Sequence, residues 1–239
     1  MADEALRQPD AGDESTFDRA AAEAARVGLE LRRDPEGFTL SDGHMELHAD
    51  FSRMASRLRP QNLHRELVVR AAKLKPADGR DNLTAVDATA GLGEDSLLLA
   101  AAGFDVVLYE RNPVIAALLR DALDRAAGIP ELADVVSRMR LIEADSMQAL
   151  PHLDMVPDVV LLDPMFPAKQ KSAHVKKKLQ ILQRLEEPCE DEGALLDAAI
   201  AANPRKIVVK RPVKGPFLAD RKPSYSISGK AVRYDVIVR

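Results

Sequence analysis

Hydrophobic and polar positions change their period several times along this chain, and each change predicts an element. Phe17–Val27 is rich in alanine and stops at Gly28, which predicts a helix. Leu29-Glu30-Leu31, Phe38-Thr39-Leu40 and Met45-Glu46-Leu47-His48 alternate apolar and polar side chains, with Asp34-Pro35-Glu36-Gly37 and Ser41-Asp42-Gly43 as turns between them. A small antiparallel sheet is expected there. Leu63, Leu67, Val68, Ala71 and Leu74 then recur at helical spacing behind the basic residues Arg53, Arg57, Arg59, His64, Arg65 and Arg70, predicting a single helix before a linker at 75–82.

Beyond residue 85, strand and helix patterns alternate. A strand ends near Asp87, and a helix over Ser96–Ala102 stops at Gly103. Asp105–Glu110 reads as a second strand, and Pro113 opens a helix that buries Val114, Ile115, Leu118, Leu119 and Leu123 and closes at Gly128. Leu141-Ile142 begins a third strand, followed by a short helix to Leu150. The run Val159–Leu162 is apolar throughout, as in a strand buried on both faces. A helix near 194–202, a strand at 207–209 and a hairpin over 226–238 turning at Ser228-Gly229-Lys230 complete the pattern. This succession predicts an α/β protein whose parallel sheet ends in antiparallel strands.

Composition narrows the picture. With 239 residues, 46% hydrophobic and 30% charged, the chain suits one domain and an appendage. No run approaches the eighteen or so apolar residues of a membrane span, and the acidic amino end is unlike a signal peptide, so a cytoplasmic location is expected. Cys189 is the sole cysteine, which excludes an intrachain disulfide and a cysteine metal cluster, and the five histidines lack ligand spacing; no metal is expected. Net charge is −4, but it is unevenly spread. Residues 1–30 carry eight acids against three arginines, while residues 205–239 carry ten Lys or Arg against Asp220 and Asp235. Such a chain can present a basic face.

The candidate chemistry centres on D-A-T-A-G-L-G-E-D at Asp87–Asp95. Gly91 and Gly93 permit a sharp turn between strand and helix where a ligand approaches the backbone. A dinucleotide fingerprint would place a third glycine where Ser96 stands, and Glu94 and Asp95 at the helix start would repel a pyrophosphate. A cationic ligand without phosphates, such as S-adenosylmethionine (SAM), suits the loop better. Glu110, at the end of the second strand, has the spacing of a carboxylate that accepts from ribose hydroxyls, with Arg111 and Asn112 following it. Asp145 and Ser146 end the third strand and are read either as contacts to an adenine edge or as a helix cap. At Asp163-Pro164-Met165-Phe166-Pro167, the Asp163 carboxylate and the Pro164 carbonyl are suited to accept both hydrogens of a planar amino group, and Phe166 to stack on its ring. Lys169, Lys171, Lys176, Lys177 and Lys178 follow in a stretch without acids, and Lys210 and Arg211 end the next strand; these form a phosphate track for RNA unless they are simply solvated faces.

With these residues in view, the chain resembles the class I SAM methyltransferases, and more closely the ribosomal RNA small subunit methyltransferase J family. The resemblance rests on D-A-T-A-G-L-G-x-D at Asp87–Asp95, E-R-N-P-V at Glu110–Val114, L-D-P-M-F-P at Leu162–Pro167, K-Q-K-S-A at Lys169–Ala173 and V-V-K-R-P at Val208–Pro212. It implies a Rossmann-like seven-stranded sheet over 61–239, with a small N-terminal α+β subdomain and linker over 1–60. It further implies methylation of the exocyclic N2 of a guanine in small-subunit ribosomal RNA. Cofactor contacts are then expected at Asp87, Gly91, Gly93, Glu94, Asp95, Glu110, Arg111, Asp145, Ser146 and Asp163. Asp163, Pro164 and Phe166 would serve catalysis, and Lys169, Lys171, Lys210 and Arg211 the RNA. Glu94 stands where the family usually has a basic residue, Asp145 replaces a small polar one, and Arg59–Glu66 lacks the expected glycine-rich basic loop. Rival readings are a methyltransferase of adenine, protein glutamine or a small molecule, a nicotinamide oxidoreductase, and an RNA-binding module without catalysis.

Overall fold

The structure is a computed structural model that describes residues 14–76, 82–164, 181–182, 184–185 and 191–239. Helix α1 (Glu14–Arg26) leads into a three-stranded antiparallel sheet of β1 (Glu30–Asp34), β2 (Gly37–Ser41) and β3 (Glu46–His48), in the order β1-β2-β3. The helix expected over Leu63–Leu74 narrows to α4 (Leu67–Ala72), and two short helices, α2 (Ala55–Leu58) and α3 (Pro60–Leu63), precede it in the basic stretch. Pro60 is accommodated only in a first helical turn. Glu66 is extended, with φ −61° and ψ 131°, and its carboxylate accepts from Arg57 Nε and Nη2 at 2.8 and 2.7 Å. Pro60 and this ion pair between segments override the helical periodicity.

The large sheet comprises β4 (Leu83–Asp87), β5 (Phe104–Glu110), β6 (Met139–Glu143), β7 (Val159–Leu162), β8 (Lys206–Pro212), β9 (Tyr225–Ser228) and β10 (Val232–Val238), ordered β6-β5-β4-β7-β8-β10-β9. The first five run parallel, and β10 is antiparallel to both β8 and β9. Crossover helices α5 (Glu94–Ala101) and α6 (Pro113–Ala127) follow β4 and β5. The periodicity did not predict α7 (Pro130–Val136), a helix too short to show a repeat, which buries only Leu132 and Val136. Helices α8 (Ser146–Ala149) and α9 (Glu192–Ala201) lie beyond β6 and before β8.

Apolar layers cover both faces of the sheet. Ala85, Leu108, Leu161 and Val208 pack into one core together with α5, α6 and the small sheet, whereas Val86, Val160, Leu162 and Val209 pack against Leu195 and Leu196 of α9. The small sheet is also tied to α6 by the Phe38 N–H, which donates to Asp121 Oδ2 at 3.0 Å. Strand order reverses at β4, with β5 on one side and β7 on the other, so the carboxyl ends of β4 and β7 flank the position where open α/β sheets hold ligands. Among the described residues no helix is long and apolar enough to cross a membrane.

Candidate functional site

Three of the four acids expected at strand tips leave neighbouring strands at one rim. Asp87 is in register with Leu108 of β5 and Leu161 of β7, so Asp87, Glu110 and Asp163 all lie at the carboxyl edge. β6 ends opposite Glu110 at Glu143, and Asp145 follows two residues later. There the cap reading holds, because Asp145 Oδ1 accepts the Met147 N–H at 2.9 Å at the start of α8, and Ser146 is buried.

The glycine loop is braced from two sides. Gly91 and Gly93 have φ of 54° and 74°, a region that costs other residues strain. A Cβ on Gly93 would lie 2.7 Å from Leu119 Cδ1 and 3.3 Å from Phe51 Cζ, whereas one on Gly91 would meet no protein atom within 4 Å. The first glycine thus keeps the backbone open, and the second lets α6 and the segment that carries Phe51 close on the loop. The Gly91 N–H donates to Glu110 Oε2 at 2.9 Å and the Asn112 N–H to Oε1 at 2.8 Å. Burial pushes the Glu110 carboxyl upward against these N–H groups. A carboxylate has about four lone-pair positions, so each oxygen still has acceptor capacity for a hydroxyl.

Asp87 performs a different task from the one expected. It is 2% exposed and accepts from Ser96 Oγ at 2.6 Å and from the Thr89 N–H at 3.1 Å, so it holds the loop from beneath. The residue that replaces the dinucleotide glycine is the one that engages it. Burial pushes the Asp87 carboxyl from 3.8 to about 7, with the Asp95 and Asp163 charges adding to the effect. An acid raised in the native state contributes stability that is complete below its unfolded value and is lost as pH rises through its native one. Denaturation midpoints should therefore fall between pH 5 and pH 8 more steeply in the wild type than in Asp87→Asn. Equal slopes would reject this assignment.

At the opposite edge of the loop, Lys210 bridges two acids. Its Nζ lies 2.9 Å from Asp95 Oδ2 and 2.9 Å from Asp163 Oδ2, and Tyr234 Oη donates to Asp95 Oδ2 at 2.9 Å. Lys210 and Tyr234 are register partners on β8 and β10, so their side chains share a face. Burial opposes the lysine charge, yet Asp163 and Asp95 hold it above the usual lysine range. Burial, helped by Asp95, also raises the Tyr234 phenol. The low-dielectric walls push the Asp163 carboxyl upward and Lys210 opposes them, while 41% of the Asp163 side chain remains open to solvent. The Asp163 N–H donates to Thr89 Oγ1 at 2.6 Å, joining the end of β7 to the glycine loop.

The expected RNA contacts divide. Lys210 turns toward the acids rather than outward. Arg211 is corrected outright: it is 1% exposed, and donates from Nη1 to Glu192 Oε1 at 2.9 Å and from Nε to the Pro216 carbonyl at 3.1 Å. Successive strand residues point to opposite faces, so Arg211 is directed into the α9 side of the sheet. Glu94 and Arg111 are exposed at the rim, and Pro164 is buried at its edge. Phe166, Lys169 and Lys171, like Lys176–Lys178 and Cys189, lie outside the described residues. Sequence reasoning missed Thr89, although it stands within the loop motif, and Tyr234, whose hydroxyl in a largely apolar strand was the available sign. Among the described residues no three His, Cys, Asp or Glu side chains gather as a metal-binding group.

Acids outnumber cations around the glycine loop, the backbone at Gly91 is open, and Glu110 retains acceptor capacity beside it. This rim fits a cationic nucleoside, and with a seven-stranded sheet in this order it defines a class I SAM-dependent methyltransferase. Residues 20–239 match a family model described as "Putative SAM-dependent methyltransferase". The ribosomal RNA small subunit methyltransferase J of Thioalkalivibrio sulfidiphilus is 41% identical over 226 residues, which cover 91% of this chain and 88% of that one. Its namesake in Alkalilimnicola ehrlichii is 43% identical over 220 residues, 89% and 80% of the two chains. The Aeromonas salmonicida protein of that name is 51% identical over 156 residues, 65% and 63%. Among solved structures, a SAM-dependent methyltransferase from Neisseria gonorrhoeae superposes with a TM-score of 0.70 at 29% identity, covering 95% of this chain and 93% of that one. The chain belongs to the ribosomal RNA small subunit methyltransferase J family.

Proposed function

We propose that this enzyme transfers a methyl group from SAM to the exocyclic N2 of one guanine in small-subunit ribosomal RNA. When bound, SAM supplies an electrophilic methyl group on a sulfonium. Glu110 is suited to accept from the ribose hydroxyls, and Asp95 with Glu94 to face the cationic part. The open backbone at Gly91 allows close approach.

The observation that carries the reading is Asp163: it sits at the switch point, half-exposed, fastened through Thr89 to the glycine loop and bridged by Lys210 to Asp95. A guanine amino nitrogen is a poor nucleophile because its lone pair is delocalised into the ring. Hydrogen bonds from its two N–H groups to the Asp163 carboxylate and the Pro164 carbonyl orient it. The carboxylate also offsets the positive charge that develops on nitrogen and stands ready to take the proton that the nitrogen must release. Phe166 is assigned to the stacking face of the ring. The surplus of cations over 205–239, with Lys214, Arg221, Lys222 and Lys230 all exposed, supports a polyanionic substrate. A ribosomal substrate also supports a cytoplasmic location.

Small ribosomal subunits and their stripped RNA, incubated with methyl-labelled SAM and digested to nucleosides, should yield N2-methylguanosine as the labelled product. Label in adenosine, in ribosomal protein or in neither would overturn the proposal.

A further inference from the structure

The loop that leaves β8 is braced by two buried arginines. Arg233 is 6% exposed, and its Nη1 donates to the carbonyls of Pro212, Val213 and Gly215 at 2.8, 2.8 and 2.9 Å, while Nη2 reaches the Pro216 carbonyl at 3.2 Å. Arg211 reaches the same Pro216 carbonyl from the neighbouring strand, and Glu192 joins Arg211 to the Ala219 N–H, which donates to Oε2 at 3.1 Å. Ala219 and Asp220 are held at φ of 47° and 53°, where residues other than glycine are strained. Arg233 also pairs with Asp235 at 2.9 Å, as Arg211 does with Glu192, so two buried guanidinium–carboxylate pairs hold the shape of one turn.

What this framework holds outward is an aromatic ring and a cation. Phe217 lies with its ring 5.0 Å from the Arg233 guanidinium carbon and remains 37% exposed, and Lys214 is exposed on the same loop. The loop starts two residues after Lys210, whose Nζ is 2.9 Å from Asp163, so it borders the same carboxyl edge as the reacting acid. An aromatic ring and a lysine exposed on one braced loop match the chemistry of a single-stranded nucleic acid, in which each base offers a π-face and each linkage a negative charge.

We infer that the Pro212–Asp220 loop is a nucleotide-binding wall, with Phe217 stacking on a base that flanks the target guanine and Lys214 pairing with its phosphate. This rests on the proposed RNA substrate, and it adds a site that recognises the target's neighbour rather than the target. Arg211, engaged in building the wall, then serves RNA binding without touching RNA.

The test compares Phe217→Ala, Phe217→Leu and Phe217→Tyr in the full-length protein for KM toward stripped small-subunit RNA, RNA retention on filters and SAM affinity. Phe217→Ala should raise KM and the RNA dissociation constant roughly ten-fold, in line with the loss of one stacked base. SAM affinity should stay at the wild-type value. Phe217→Tyr should restore RNA binding and Phe217→Leu should not. Unchanged RNA affinity in Phe217→Ala, equal rescue by leucine and tyrosine, or a parallel loss of SAM affinity would each overturn the inference. Filter retention needs no methyl transfer, so a wild type that binds RNA through Phe217 yet methylates no guanine would count against the proposed reaction and not against the wall.

Discussion

Asp163→Ala is expected to lower methyl transfer to RNA by about a hundred-fold or more while leaving the protein folded. The fold should survive because the link from the end of β7 to the glycine loop runs through the Asp163 main-chain N–H, which alanine retains. The acceptor for the guanine amino group is lost, and with it the negative charge that faces the developing positive charge on nitrogen. Hydrogen bonds of this kind are stronger in the transition state than in the ground state, so the loss should fall on kcat more than on SAM affinity. Asp163→Asn, which keeps an acceptor oxygen without the charge, should fall between alanine and wild type. Single-turnover rates beside calorimetric SAM binding provide the check, and turnover of the alanine variant at the wild-type rate would refute the assignment.

Replacing Lys210 with methionine should move the acid limb of the pH–rate profile to higher pH. The ammonium is faced by Asp163, Asp95 and Tyr234, and Arg211, next in sequence, points to the other side of the sheet. Surroundings that raise the Asp163 carboxyl are opposed mainly by the Lys210 charge, so removing that charge raises the carboxyl further. The ionised form is the one that accepts from the amino group, and activity is lost as pH falls through the carboxyl's value. The variant should therefore be slower than wild type on the acid side of the profile and approach it at alkaline pH. A uniform loss across the whole range would instead identify Lys210 as an RNA-phosphate contact.

Much of the architecture was legible in the residues. Alternation at 29–48 marked the small sheet, the uninterrupted Val159–Leu162 run marked a strand covered on both faces, and Gly103 and Gly128 marked helix ends. Local rules act there, and local rules are visible in a window of ten residues. The misreadings share a different cause. The helix expected over Leu63–Leu74 starts only at Leu67, because Glu66 is extended and bonds back to Arg57. Lys210 and Arg211 read as a basic pair, but alternate strand residues face opposite sides, which sent one to Asp95 and Asp163 and the other to Glu192.

Taken alone, the amino-acid order determined the α/β class, the strand–glycine–helix turn, and the acids that end successive strands, because each depends on period, turn chemistry and spacing along the chain. Only the tertiary structure decided what those charges do. Asp87 became an internal brace, Lys210 a bridge between acids and Arg211 a support for the loop after β8, each through partners brought together by strand register and helix packing. A side chain's electrostatic role depends on the groups that folding places within about 3 Å of it, and that distance is not written in sequence separation.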